Sequence, residues 1–141
     1  MAGLAVIDAS VILKWVLPPD AEPYQSQALS LAEAVAQGRI EVRLPGLWYF
    51  EVGNILIRKY RQDADRDLAD LRQQLGQCEQ PVSAGCQREI IRLTGAYPVT
   101  FYDASYHALA IVNDGVFVTA DEKYLQAVAG EPNLRHLKDW H

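Results

Sequence analysis

The sequence predicts a three-layer α/β/α protein with a central, mainly parallel sheet of four to five strands. Three observations predict it. Leu4-Ala5-Val6-Ile7 runs apolar, without alternation, into Asp8, and Val116-Phe117-Val118-Thr119 runs the same way into Ala120-Asp121. Unbroken apolar runs of this length are strands covered by helices on both faces, as in parallel sheets. Around them, apolar residues recur at three- and four-residue spacing, the period of helices that pack one face on a sheet. An acid directly after each buried strand then stands at the sheet edge where open α/β sheets bind their ligands.

The chain has 141 residues, 50% of them hydrophobic, which is one domain's worth and enough to bury a core without disulfides or a structural metal. A single domain over residues 1–141 is expected. Cys78 and Cys86 form no CxxC and have no paired His, so a zinc site is not expected, and reduced thiols in a cytoplasmic protein are. No stretch reaches the length of a membrane span, and no basic segment precedes an apolar run at the N-terminus. The formal charge is −5, from 13 basic and 18 acidic residues, which ordinarily argues against nucleic acid. Four acids holding divalent cations would bring the remaining surface close to neutrality, and Arg58, Lys59 and Arg61 form a local basic cluster.

In order, Ser10 to Leu17 reads as a short helix stopped by Pro18-Pro19, with Ser10 a candidate cap or a residue that orients water beside Asp8. Ala28, Leu31, Ala32 and Val35 give an amphipathic helix over residues 23–37, closed by Gly38. The alternating stretch from Ile40 to Leu44 predicts an outer strand, ended by Pro45-Gly46. A helix over residues 47–61 carries Trp48, Val52, Ile55 and Leu56 on one stripe. Glu51 interrupts that stripe and points to the core side, where a charge is costly unless it meets a cation or reaches water at the stripe's edge.

A solvent-facing helix is expected over residues 63–77, with Leu68, Leu71 and Leu75 as its apolar line. A brief strand is expected at Pro81-Val82-Ser83 and a helix over residues 87–93, ended by Gly95. The Ala-rich helix over residues 103–112 has Asp103 in its first turn, where the helix dipole favours an acid and where a simple N-terminal cap is the plainer reading. His107 sits four residues on, and a lone His there is read as a packed or hydrogen-bonded side chain. A helix follows Asp121 from Glu122, and Asn133 to Leu137 closes the sheet. His136, Trp140 and His141 are given no role.

Asp8, Glu51, Asp103 and Asp121 each have a separate structural excuse, but together they form a cluster. Carboxylates brought together repel one another and resist ionisation unless a divalent cation joins them. Oxygen donors without Cys or His favour Mg²⁺ or Mn²⁺ over zinc. The stretches Val6-Ile7-Asp8-Ala9-Ser10, Glu51-Val52-Gly53-Asn54, Phe101-Tyr102-Asp103-Ala104 and Thr119-Ala120-Asp121-Glu122 resemble, in order, the four motifs of PIN-domain ribonucleases, above all the VapC-type toxins of toxin-antitoxin systems.

That resemblance implies roles position by position. Asp8, Asp103 and Asp121 match the family's metal-binding aspartates, and Glu51 its helix-borne glutamate. Ser10, Asn54 and Thr119 match the polar residues that brace the carboxylates or position water. It further implies metal-dependent cleavage of RNA, leaving 5′-phosphate and 3′-hydroxyl ends, a homodimer, and a VapB-type antitoxin partner. Trp15, Val16 and Leu17 offer apolar docking surface for that partner, whereas Trp48 is assigned to the core. The alternatives are a housekeeping RNA-processing PIN nuclease, a non-catalytic PIN-type scaffold and a receiver-like Mg²⁺-binding module. A receiver needs an acidic pair after the first strand, and here Ala9-Ser10 follows Asp8.

Overall fold

The computed structural model describes residues 3–140, so His141 lies outside the described residues. Four strands form one parallel sheet: β1 (Gly3–Ile7), β2 (Ile40–Val42), β3 (Val116–Thr119) and β4 (Leu134–His136), in the spatial order β2-β1-β3-β4. The order reverses beside β1, since the chain first adds β2 on one side and only later β3 on the other. The gap between the carboxyl ends of β1 and β3 is therefore the switch point of the sheet, the crevice into which open α/β folds direct ligands.

Both central strands are as apolar as the sequence requires. Ala5, Val6, Ile7 and Val118 are fully buried, and Phe117 nearly so. Gly115 lets them meet at the start of β3, because a Cβ there would lie 2.6 Å from both the carbonyl oxygen and a methyl of Leu4. The outer strand β2 ends at Val42, and Leu44 makes an isolated parallel bridge with Glu79.

The helices are α1 (Ala9–Ile12), which continues as a 3₁₀ turn through Trp15, α2 (Gln25–Ala36), α3 (Leu47–Tyr60), α4 (Ala64–Leu75), α5 (Ala84–Ala96), α6 (Phe101–Val112) and α7 (Glu122–Ala127). Helix α6 packs on β1 and β3 and is backed by α5, α2 packs on β2, and α3 carries α4. Trp48, Val52 and Leu56 of α3 are fully buried, and α2 ends before Gly38 in the left-handed region, both as the periodicity requires.

Several local expectations are corrected. Pro81-Val82-Ser83 forms no strand. The pairing falls at Glu79, and the Ser83 hydroxyl accepts from the Cys86 amide to cap α5. Gly95 lies inside α5, which is longer at both ends than its apolar line, because a glycine lowers helix propensity by only about 1 kcal/mol and packing on α6 overrides it. Ser10 does not cap α1. Asp8 does, accepting from the Ser10 amide at 3.1 Å. Nor does Asp103 cap α6, which begins at Phe101 and is capped by Thr100. Trp15 and Val16 pack against the core rather than forming a free apolar surface. The Trp15 indole donates to the Ala28 carbonyl at 2.9 Å, and Leu17 is 8% exposed. Among the described residues no helix is long and apolar enough to cross a membrane.

Candidate active site

The strand register decides which side chains meet at the switch point. Ile7 of β1 pairs with Val118 of β3, so the next residues along, Asp8 and Thr119, stand side by side. The Thr119 hydroxyl donates to Asp8 Oδ2 at 2.6 Å, and the Ser10 hydroxyl donates to Asp8 Oδ1 at 2.5 Å. Those two hydroxyls are fixed in turn. Ser10 Oγ accepts from the Ala120 amide, and Thr119 Oγ1 from the Asp121 amide, each at 3.0 Å. The turn after β3 is thus stapled to the turn after β1. Asp121 Oδ1 accepts from the Tyr124 amide and caps α7.

From the facing helices, α3 supplies Glu51 and the first turn of α6 supplies Asp103. With Asp8 and Asp121 they line one pocket of about 330 Å³, together with Ala9, Ser10 and Tyr106. The Tyr106 hydroxyl, also on α6, donates to Glu51 Oε1 at 2.5 Å. Neither sequence pattern nor motif singled out Tyr106. It falls on the buried face of α6, where an aromatic reads as core, and the one available signal was its position three residues after Asp103, on the same face of the helix. Asn54 goes elsewhere: it is exposed and lines a groove with Tyr49, Phe50, Gly53, Ile57 and Leu68, apart from the acids. His107 is fully buried and bonded to the Tyr124 hydroxyl at 2.8 Å and the Pro132 carbonyl at 2.9 Å, a packing role, with its pKa lowered by burial.

The electrostatics of the pocket are those of negative groups without partners. Burial raises Asp8 to about 6, against the two hydroxyl bonds that lower it, and Asp121 and Glu51 add repulsion. Burial also raises Glu51, offset in part by Tyr106 and reinforced by Asp103. Burial raises Asp103 too, with the Thr100 hydroxyl and Lys123 opposing and Asp121 adding to the shift. The Tyr106 hydroxyl is pushed far above its ordinary range by burial and by Glu51, so it stays a proton donor to the carboxylate. Among the described residues none of the four acids has an ion-pair partner.

An all-oxygen, cation-free donor set fits a hard divalent ion such as Mg²⁺ or Mn²⁺. Among the described residues no three His, Cys, Asp or Glu side chains close into a ready-made cage. That also fits Mg²⁺, which keeps several waters and takes one or two carboxylates plus phosphate oxygens rather than a full protein cage. Asp8, Glu51, Asp103 and Asp121 are the residues available to hold it.

A PIN domain family profile matches residues 5–131. Among solved structures, the chain is similar to a toxin-antitoxin complex from Klebsiella pneumoniae at 16% identity and TM-score 0.67, over 94% of this chain and 97% of that one. It is similar to PAE2754 from Pyrobaculum aerophilum at 22% identity and TM-score 0.63, over 98% and 93%. It is also similar to VapC20 of Mycobacterium tuberculosis, a sarcin-ricin loop cleaving toxin, at 14% identity and TM-score 0.61, over 91% and 99%. At such identities the likeness is one of fold. No curated protein matches the sequence.

Proposed function

Because this chain belongs to the PIN-domain family, we propose that it is a metal-dependent endoribonuclease acting as the toxin of a toxin-antitoxin pair, with Asp8, Glu51, Asp103 and Asp121 as its reactive centre. The observation that carries the chemistry is the pocket itself: four carboxylates, two from just beyond β1 and β3 and two from α3 and α6, share one cavity and form no salt bridge among the described residues. A structure that holds unpaired acids together at a ligand-binding edge is arranged for a cation that arrives from outside. The toxin reading draws on solved structures that share this fold over nearly their whole length, among them a toxin-antitoxin complex and an RNA-cleaving toxin.

A divalent cation supplies an activated water and neutralises charge gathering on a phosphodiester in the transition state. The protein's own contribution is orientation. Ser10 and Thr119, whose hydroxyls lie 3.4 Å apart, each donate to a different oxygen of Asp8, so its carboxylate is fixed before any ligand enters. Tyr106 holds one oxygen of Glu51, whose side chain lines the pocket. Asp103 and Asp121 are each half-buried, which lets them reach both the pocket and solvent. Such fixed donors avoid reorganisation during reaction. No nucleophilic side chain is required.

The test is cleavage of a mixed RNA pool by the purified protein with Mg²⁺ or Mn²⁺, against EDTA and against Asp103→Asn. Metal-dependent cleavage that falls by two to three orders of magnitude in the variant is expected, the scale of losing one charge-positioning group. Equal cleavage in EDTA or by the variant rejects the mechanism. The partner proposal predicts an antitoxin segment that covers the acidic pocket and abolishes cleavage. The homodimer proposal predicts twice the chain mass by light scattering at micromolar concentration, and a monomer there rejects it.

A further inference from the structure

The acidic pocket shares two of its walls, Asp103 and Asp121, with a larger cavity of about 590 Å³. Its remaining walls are of a different kind. Pro98, Val99 and Ala127 are apolar, the Tyr124 ring is buried beside them, and Thr100, Lys123 and Gln126 bring polar groups. The volume lies within the ~300–1,000 Å³ of pockets that take a small organic ligand, and the lining sets an apolar wall of Pro98, Val99 and Ala127 beside polar and charged groups. Among the described residues that line the two cavities, Lys123 is the sole Lys or Arg. Lys123 and Gln126 are both exposed and three residues apart on α7, hence neighbours on one side of the helix.

Taking the nuclease reading as premise, we propose that this cavity seats the nucleotide adjoining the cleaved phosphate of single-stranded RNA, with the Lys123 ammonium on a phosphate oxygen and the Gln126 amide on the edge of an unstacked base. An acidic protein that binds a polyanion needs a cation next to its site, and Lys123 stands where the acids end. A base splayed out of its stack needs an apolar wall and an amide, which can both donate and accept. The strand has a continuation: Gln126 also lines a second groove of about 350 Å³ with Leu125, His136 and Lys138, where Glu122 is occupied by His136 at 3.4 Å. The rival course lies down α3, past the exposed Arg58 and Lys59.

The experiment is fluorescence anisotropy with a labelled single-stranded RNA of randomised sequence, in the Asp8→Asn background so that the RNA survives, across a salt series. Lys123→Ala is expected to weaken binding roughly tenfold and to shrink the slope of log affinity against log salt by about 0.7, one phosphate contact on a single strand. Arg58→Ala is expected to change neither. In the otherwise unmodified protein, Gln126→Ala is expected to flatten base preference at the nucleotide beside each cut while cleavage continues. If the protein cleaves RNA but Lys123→Ala binds with unchanged affinity and slope, or Arg58→Ala carries the loss, this seat is wrong and the nuclease reading stands. If the unmodified protein cleaves no RNA with any divalent metal, both fall together.

Discussion

Glu131 and Asp8 are both carboxylates drawn largely out of water, and the protein treats them in opposite ways. Glu131, in the loop before β4, accepts two bonds from the Arg92 guanidinium, at 2.9 and 3.2 Å, and a third from the Tyr97 hydroxyl at 2.6 Å. Arg92 is shared with Glu89 at 2.8 Å. These bonds hold Glu131 down at about 2. Asp8 meets hydroxyls and other acids, and burial leaves it at about 6. Since the chain had arginines to spend on Glu131, the lack of one at Asp8 is not for want of means. A paired carboxylate ties two segments together, and an unpaired one is kept for a ligand.

Substitutions at the two carboxylates and their partners should give separable effects. Thr119→Val removes the donor that fixes Asp8 Oδ2 and leaves the Asp121 amide without its acceptor. Activity is expected to fall 10- to 100-fold, the usual loss when a group behind a metal ligand is removed, with a two-state melt retained. Wild-type turnover in this variant would mean that Asp8 needs no holding. Glu131→Ala is expected to lower stability by about 1–2 kcal/mol in a urea titration near neutral pH, discounted because the Arg92 side it leaves behind is partly exposed. Cleavage activity below the unfolding range should not change.

The two carboxylates should also respond to pH with opposite signs. Glu131 is depressed, so its contribution is full above its ordinary value of 4.5 and is lost as pH falls toward 2. Asp8 is raised, so in metal-free protein its ionisation destabilises the fold as pH climbs from 3.8 through about 6, and the penalty is constant above that. Asp8→Asn in EDTA is therefore expected to gain up to about 3 kcal/mol at pH 7 and nothing below pH 4, since a shift of one unit corresponds to about 1.4 kcal/mol. Equal stability of the two proteins at every pH would place Asp8 among satisfied groups and erase the contrast with Glu131. The smallest effect is expected from Tyr106→Phe, which frees one oxygen of Glu51: a loss of about threefold to tenfold in turnover, the net worth of a single hydrogen bond. It should be accompanied by an easier protonation of Glu51, readable as a higher acid limb in the pH–rate profile.

Much of this was legible from residues taken alone. The strands at both central positions, the helix from Leu47, and the acids that follow Ile7 and Thr119 all declare themselves by local pattern, because burial on two faces forbids alternation and a sheet edge is where an apolar run stops. Two placements depend on docking that the chain pattern does not carry. Asn54 follows Glu51 at helical spacing, yet it is exposed and lines the groove with Phe50 and Ile57, because the part of a helix face that meets the pocket is set by how α3 docks on the sheet. Pro81-Val82-Ser83 reads as a strand from its local pattern, but the pairing forms two residues earlier, at Glu79 opposite Leu44, and Ser83 is taken up as the cap of α5.

The sequence by itself determined the α/β class, the order of the elements and the identity of the four acids, because each of these depends on hydrophobic periodicity and on residues within a turn of one another. Tertiary structure decided how the acids are held and which of them lack partners. Tyr106 reaches Glu51 across 55 positions, Thr119 reaches Asp8 across 111, and Arg92 reaches Glu131 across 39. Contacts of that span are set by strand register and helix docking, which follow from the whole core packing at once and leave no periodic trace in the chain.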